Sequence, residues 1–190
     1  MNRRDALQRV SLLFGGTIIG AEIFLYGCGP ETKQLSTLEF SPESISFLDE
    51  VGETILPTTA GSPGAKAAKI GEFMKLIVTD CYEEKDQKIF LEGLGKLNEA
   101  AKTKFQKDFM GLDASQKKEL LIGIDKEAAE IAKNKKEEDP NHYFTMVKQL
   151  TLWGYFTSEV GATKALNYVE RPGRWEGCTP YKKGDKAWAL

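Results

Sequence analysis

From Ser41 onward, apolar residues return every three or four positions with polar residues between them, which is the period of helices that bury one face. Ser41-Pro42-Glu43 pairs an N-capping hydroxyl with proline at the first helical position, and Ile45, Leu48, Val51 and Ile55 continue the stripe until Pro57. The spacing predicts a first helix over about 42–56. Thr58 to Gly64 reads as a turn-rich loop. A second stripe follows in Ile70, Phe73, Met74, Ile77, Val78 and Cys81, which places Cys81 on a core face. A third runs from about Glu84 to Phe105 through Ile89, Phe90, Leu94, Leu97 and Ala101, with Gly93 and Gly95 weakening its middle. Asp113 or Ser115 caps a fourth helix that turns Leu120, Leu121, Ile124, Ala128 and Ile131 inward. Asp139-Pro140 opens a fifth with Tyr143, Met146, Val147, Leu150 and Trp153, and Ser158 to Asn167 is a sixth or its continuation.

No stretch sustains the two-residue alternation of a half-buried strand, and no long repeat is visible. The expected fold is therefore all-α, an irregular bundle of about five to six helices within a single domain over 41–190. From about Tyr168 the chain is rich in Gly and Pro, so an extended tail is expected, with Trp175, Tyr181 and Trp188 available to hold it.

The first 27 residues have a different character. Arg3, Arg4 and Arg9 precede a largely apolar run, Val10 to Gly27, which reads as an export signal. Arg3-Arg4 followed by Asp5, Ala6 and Leu7 resembles the twin-arginine signal, which carries folded cargo. Leu25-Tyr26-Gly27-Cys28 resembles a lipoprotein box, with Cys28 as the acylated residue and 28–40 as a tether; cleavage without acylation and a retained anchor are the alternatives. Glu22 interrupts the apolar run, and its 18 residues stand at the short limit for a membrane span. The expected place is the periplasmic side of a bacterial membrane, reached by the twin-arginine route.

Charge and composition narrow the chemistry. The chain carries 26 basic and 28 acidic residues, and removal of 1–27 leaves 23 against 26, a net charge of −3. No basic field marks it as a nucleic-acid binder. One histidine, His142, is too few for common zinc sites or a Ser-His-Asp triad, and three cysteines are too few for an iron–sulfur cluster. Gly61-Ser62-Pro63-Gly64-Ala65-Lys66 lacks the spacing of a phosphate loop, and Gly93-Leu94-Gly95 lacks the third glycine of a dinucleotide site. Glu83-Glu84 and the charge run Lys133 to Asp139 read as solvated surface. No catalytic, cofactor-binding or metal-binding residue is expected in this chain. With Cys28 assigned to lipid, Cys81 and Cys178 remain as an even pair; they either form a disulfide or stand apart, Cys81 buried and Cys178 at a subunit contact.

Two blocks carry a family resemblance. One runs from Glu53-Thr54-Ile55-Leu56-Pro57-Thr58-Thr59 through Pro63-Gly64-Ala65-Lys66-Ala67 to Asp80-Cys81-Tyr82. The other runs from Gly154-Tyr155-Phe156-Thr157-Ser158-Glu159-Val160-Gly161 through Ala165-Leu166 to Pro172-Gly173-Arg174 and Gly177-Cys178. Together they resemble the gluconate 2-dehydrogenase subunit 3 family, with 84–140 matching only as generic helix. The resemblance implies a cofactor-free small subunit that assembles with, stabilises and helps export a large flavoprotein dehydrogenase of the glucose–methanol–choline type. FAD is then expected in the partner, and in some complexes a cytochrome takes the electrons. On that reading Trp153, Tyr155, Phe156, Arg174 and Trp175 are expected at the partner interface, since aromatics and arginine anchor interfaces. The opposing reading makes Trp153 and Phe156 core residues. A small periplasmic enzyme acting on sugars and a membrane-tethered scaffold are the rival functions.

Overall fold

A computed structural model describes residues 40–136, 138–171, 173–174 and 177–189. Among them, five α-helices carry the architecture: α1 (Pro42–Ile55), α2 (Ile70–Cys81), α3 (Glu84–Phe105), α4 (Ala114–Asn134) and α5 (Tyr143–Thr157). Short 3₁₀ turns, Ala65–Ala68 and Phe109–Gly111, lead into α2 and α4, and a π-helical turn, Gly161–Ala165, follows α5. The all-α bundle is the fold the periodicity predicts.

Four of the five helices start where a side chain supplies a partner for one of the first free amides; α3, which follows Glu83, has no such cap. The Ser41 hydroxyl accepts from the Ser44 amide at 3.2 Å, with Pro42 in the first turn. Asp113 and Gln116 form a reciprocal capping box on α4. At α2 the partner comes from a neighbouring helix: the Asp49 carboxylate of α1 accepts from the Gly71 amide at 2.8 Å. The end of α2 is closed by the buried side chain of Gln87, whose amide nitrogen lies 3.0–3.2 Å from the carbonyls of Val78, Thr79 and Tyr82. Asn98 of α3 accepts from the Phe109 amide and donates to Asp108, both at 2.9 Å, so the turn after α3 drives Phe109 fully into the core.

Helix α5 is the axis of the bundle. It is apolar on nearly every side, burying Tyr143, Phe144, Met146, Val147, Leu150, Thr151 and Tyr155, and it packs against all four other helices. Helix α3 runs unbroken through Gly93, and a side chain there would enter the Tyr143 ring: a Cβ would lie 2.3 Å from it. The glycine expected to weaken the helix is what lets α3 approach α5.

Several sequence expectations need correction. α5 begins one turn later than Asp139-Pro140, with His142 as its N-cap; the His142 Nδ1 accepts from the Phe144 amide at 3.3 Å. The sixth helix is reduced to the π-helical turn. Cys81 is exposed at the last position of α2, and Ile131 is 44 % exposed on the outer part of α4. The extended tail contains a two-residue parallel pair, β1 (Asn167–Tyr168) with β2 (Trp188–Ala189), which returns the chain to the end of the π-helical turn. Tyr181 and Trp188 do not hold the tail by packing, since they are 75 % and 60 % exposed; backbone bonds between the two short strands do so. Among the described residues, no helix is long and apolar enough to cross a membrane.

Candidate functional site

The two sequence blocks meet in space. Leaving α1, the chain passes Pro57 and turns at Thr59–Ser62, which pair as an isolated antiparallel bridge. The Glu53 carboxylate holds this loop from below. One oxygen accepts from the Thr58 amide at 2.8 Å and from the Thr58 hydroxyl at 2.7 Å; the other accepts from the Lys66 amide at 3.0 Å. The Thr58 hydroxyl in turn accepts from the Gly64 amide at 3.0 Å. Gly64 admits this arrangement, because a Cβ there would stand 2.2 Å from the Glu53 carboxylate. From the other side Tyr155 reaches across from α5: its phenol donates to the Pro63 carbonyl and pairs with the Ser62 hydroxyl at 2.7 Å.

Beside this loop, α2 and α5 present an aromatic strip. Gly154 lets Phe73 press onto α5, since a Cβ there would meet the Phe73 ring at 2.4 Å. The Phe73 ring then stands edge-on to Trp153, centroids 5.5 Å apart. Trp153 is 53 % exposed, Phe156 40 %, Leu152 37 % and Leu76 of α2 57 %. A helix whose other faces are core thus carries large apolar side chains outward, close to the loop that its tyrosine bolts down. Isolated exposed apolar residues are ordinary; several on adjoining helix faces mark a contact surface.

The expected interface residues divide accordingly. Trp153 and Phe156 lie on the surface, and Arg174 is exposed on the tail. Tyr155 is corrected to an internal residue: it is 3 % exposed and its phenol is committed to the loop. Trp175, Arg3, Arg4 and Cys28 lie outside the described residues. Cys81 and Cys178 are exposed free thiols, so the disulfide considered from their even number is not formed, and Cys81 is not buried. Sequence reasoning did not single out Glu53 or Ser62, although both stand in the loop-forming block.

Electrostatics elsewhere serve the packing. Lys117 is nearly buried and bonds to Glu50 at 2.7 Å, while Lys66 joins the same carboxylate at 3.1 Å. The bond from Lys117 holds the Glu50 carboxyl below its ordinary pKa. Burial pushes the Tyr143 phenol up to about 12 and lowers the pKa of His142. Among the described residues, no group of three or more His, Cys, Asp or Glu side chains could hold a metal ion.

A family model described as gluconate 2-dehydrogenase subunit 3 matches residues 42–173. The chain belongs to that family. No curated protein and no solved structure gives a significant match. As a gluconate 2-dehydrogenase subunit 3, the protein is an accessory subunit of a dehydrogenase. The matched span opens at the first residue of α1 and closes in the tail, so it takes in the Glu53 loop, the aromatic strip and the whole of α5.

Proposed function

We propose that this subunit assembles with a large flavin-dependent dehydrogenase of the glucose–methanol–choline type, stabilises it and accompanies it through export. The partner carries FAD and oxidises a sugar or sugar acid; this chain supplies no cofactor and no catalytic residue. In some assemblies a cytochrome receives the electrons. The twin-arginine motif at Arg3-Arg4 suits a chain that travels folded with its partner, and acylation of Cys28 would hold the complex at the periplasmic side of the membrane.

The observation that carries this reading is the outward-facing pair Trp153 and Phe156 on α5, the most buried helix of the fold. Desolvating large aromatics is a strong source of interface energy, and their cost in side-chain entropy is low. Arg174 and Trp175 extend the proposed interface along the tail.

The test is a mild-detergent capture of the tagged full chain from its native membranes, with an absorbance spectrum and mass spectrometry of the eluate. A yellow, flavin-containing large subunit in near-equal amount is expected. Trp153→Ala combined with Phe156→Ala is expected to lose it while the helical circular dichroism is retained. A colourless, solitary chain would reject the assembly, and sugar turnover by that chain alone would establish the standalone-enzyme alternative.

A further inference from the structure

A groove of about 490 Å³ runs between the Glu53-bound loop and the π-helical turn, where Lys186 of the tail joins the turn. One wall is the loop over 58–63; the other is built by Thr163, Lys164 and Lys186. We propose that this groove receives an extended, carboxylate-bearing segment of the partner subunit. The proposal rests on the assembly reading above and adds where, and by what chemistry, a second contact is made.

Three observations point to such an occupant. First, the only charged side chains in the lining are the two lysines, and no carboxylate lines it, although the chain as a whole has a net charge of −2. The Lys164 ammonium forms no ion pair with a described carboxylate; the Lys186 ammonium spends one bond on the Lys164 carbonyl and keeps two N–H groups. Second, the loop has amides to spare at one place. Thr58, Thr59, Ser62, Gly64, Ala65, Lys66 and Ala67 donate to groups within the fold, whereas Ala60 and Gly61, both in the groove wall, donate to no described group. The residues of the groove thus hold two uncommitted amides and two lysines with N–H groups to spare, and the ligand that answers them is rich in acceptors.

Third, both walls are held in place before any ligand arrives. Glu53 and Tyr155 fix the loop, while the Lys186 bond to the Lys164 carbonyl, the Asn167 side-chain bond to the Lys186 carbonyl at 3.1 Å and the β1–β2 pair fix the tail. A preformed site loses little entropy on binding. The groove is shallow and largely open to solvent, which suits a chain laid across it better than a small molecule that must be enclosed.

The experiment uses the intact complex isolated from native membranes. A water-soluble carbodiimide joins lysine amines to carboxylates already in contact, and mass spectrometry locates the new amide bonds. Bonds from Lys164 or Lys186 to an Asp- or Glu-containing stretch of the flavoprotein are expected. Lys164→Glu with Lys186→Glu is expected to weaken association about tenfold and to flatten its dependence on salt. If the flavoprotein co-purifies but neither lysine is joined to it and the double variant associates as well as wild type, the groove proposal is wrong while the assembly stands. If no flavoprotein is captured at all, both readings fall together.

Discussion

At the scale of single residues, Glu53 and Tyr155 show how a surface loop is made rigid without being buried. A carboxylate that accepts from Thr58 twice and from Lys66 once replaces the water that would solvate those donors. Glu53→Gln keeps the size of the side chain but removes charge and one acceptor. It is expected to cost about 1 kcal/mol in urea unfolding, with faster hydrogen exchange at the Thr58 and Lys66 amides and little change elsewhere. Tyr155→Phe leaves the ring in the core and strips the phenol from Pro63 and Ser62, and a loss of about 1–2 kcal/mol is expected in the same assay. The sequence made the loop legible through Pro57, Gly61 and Gly64, yet it did not reveal the bolts. Glu53 sits in an ordinary helical turn, and its role depends on the return of the chain at Lys66. Tyr155 is expected at the interface as an aromatic anchor, and periodicity offers nothing against that, because its helix is apolar on nearly every side and has no broad polar face to orient it.

Among elements, amphipathic stripes placed α1 to α4 closely, and the capping residues Ser41 and Asp113 fixed two of the starts. The errors gathered at helix ends. Cys81 and Ile131 continue the apolar spacing of α2 and α4 into the last turn of each helix, yet both are exposed, so the pattern outlasts the packing. The glycines of α3 look alike in sequence and differ in surroundings. Gly93 faces the Tyr143 ring, while Gly95 has nothing within 4 Å of a Cβ position. Gly93→Ala is therefore expected to separate α3 from α5 and cost about 1–3 kcal/mol. Gly95→Ala is expected to stabilise the same helix by about 0.5–1 kcal/mol. Opposite shifts in thermal midpoint would establish the distinction; equal shifts would refute it.

Across the whole molecule, His142 and Glu50 are two partly buried groups that pull the response to acid in the same direction. Burial depresses the pKa of His142, and the Lys117 bond depresses that of Glu50, so for each the folded chain binds protons less readily than the unfolded one. Stability is then greatest above both ordinary values and falls as pH drops, first below about 6.5 for His142 and again below about 4.5 for Glu50. Protonated Nδ1 also ceases to accept from the Phe144 amide, which removes the cap of α5. His142→Asn keeps a capping acceptor without the titration and is expected to flatten the upper part of a urea-midpoint curve between pH 8 and 4. Glu50→Gln is expected to flatten the lower part, at the cost of leaving Lys117 without its anionic partner.

The position of α5 at the axis has a consequence for how the chain acquires its shape. The helix that closes the core is the last of the five in sequence, and the Tyr155 bond to Ser62 spans 93 residues. Until it emerges from the ribosome, α1 to α4 have amphipathic faces with no central surface to cover them, and the native arrangement waits on contacts between distant parts of the chain. A translation product stopped before Tyr143 would thus be a sticky, chaperone-dependent fragment rather than a smaller version of the domain.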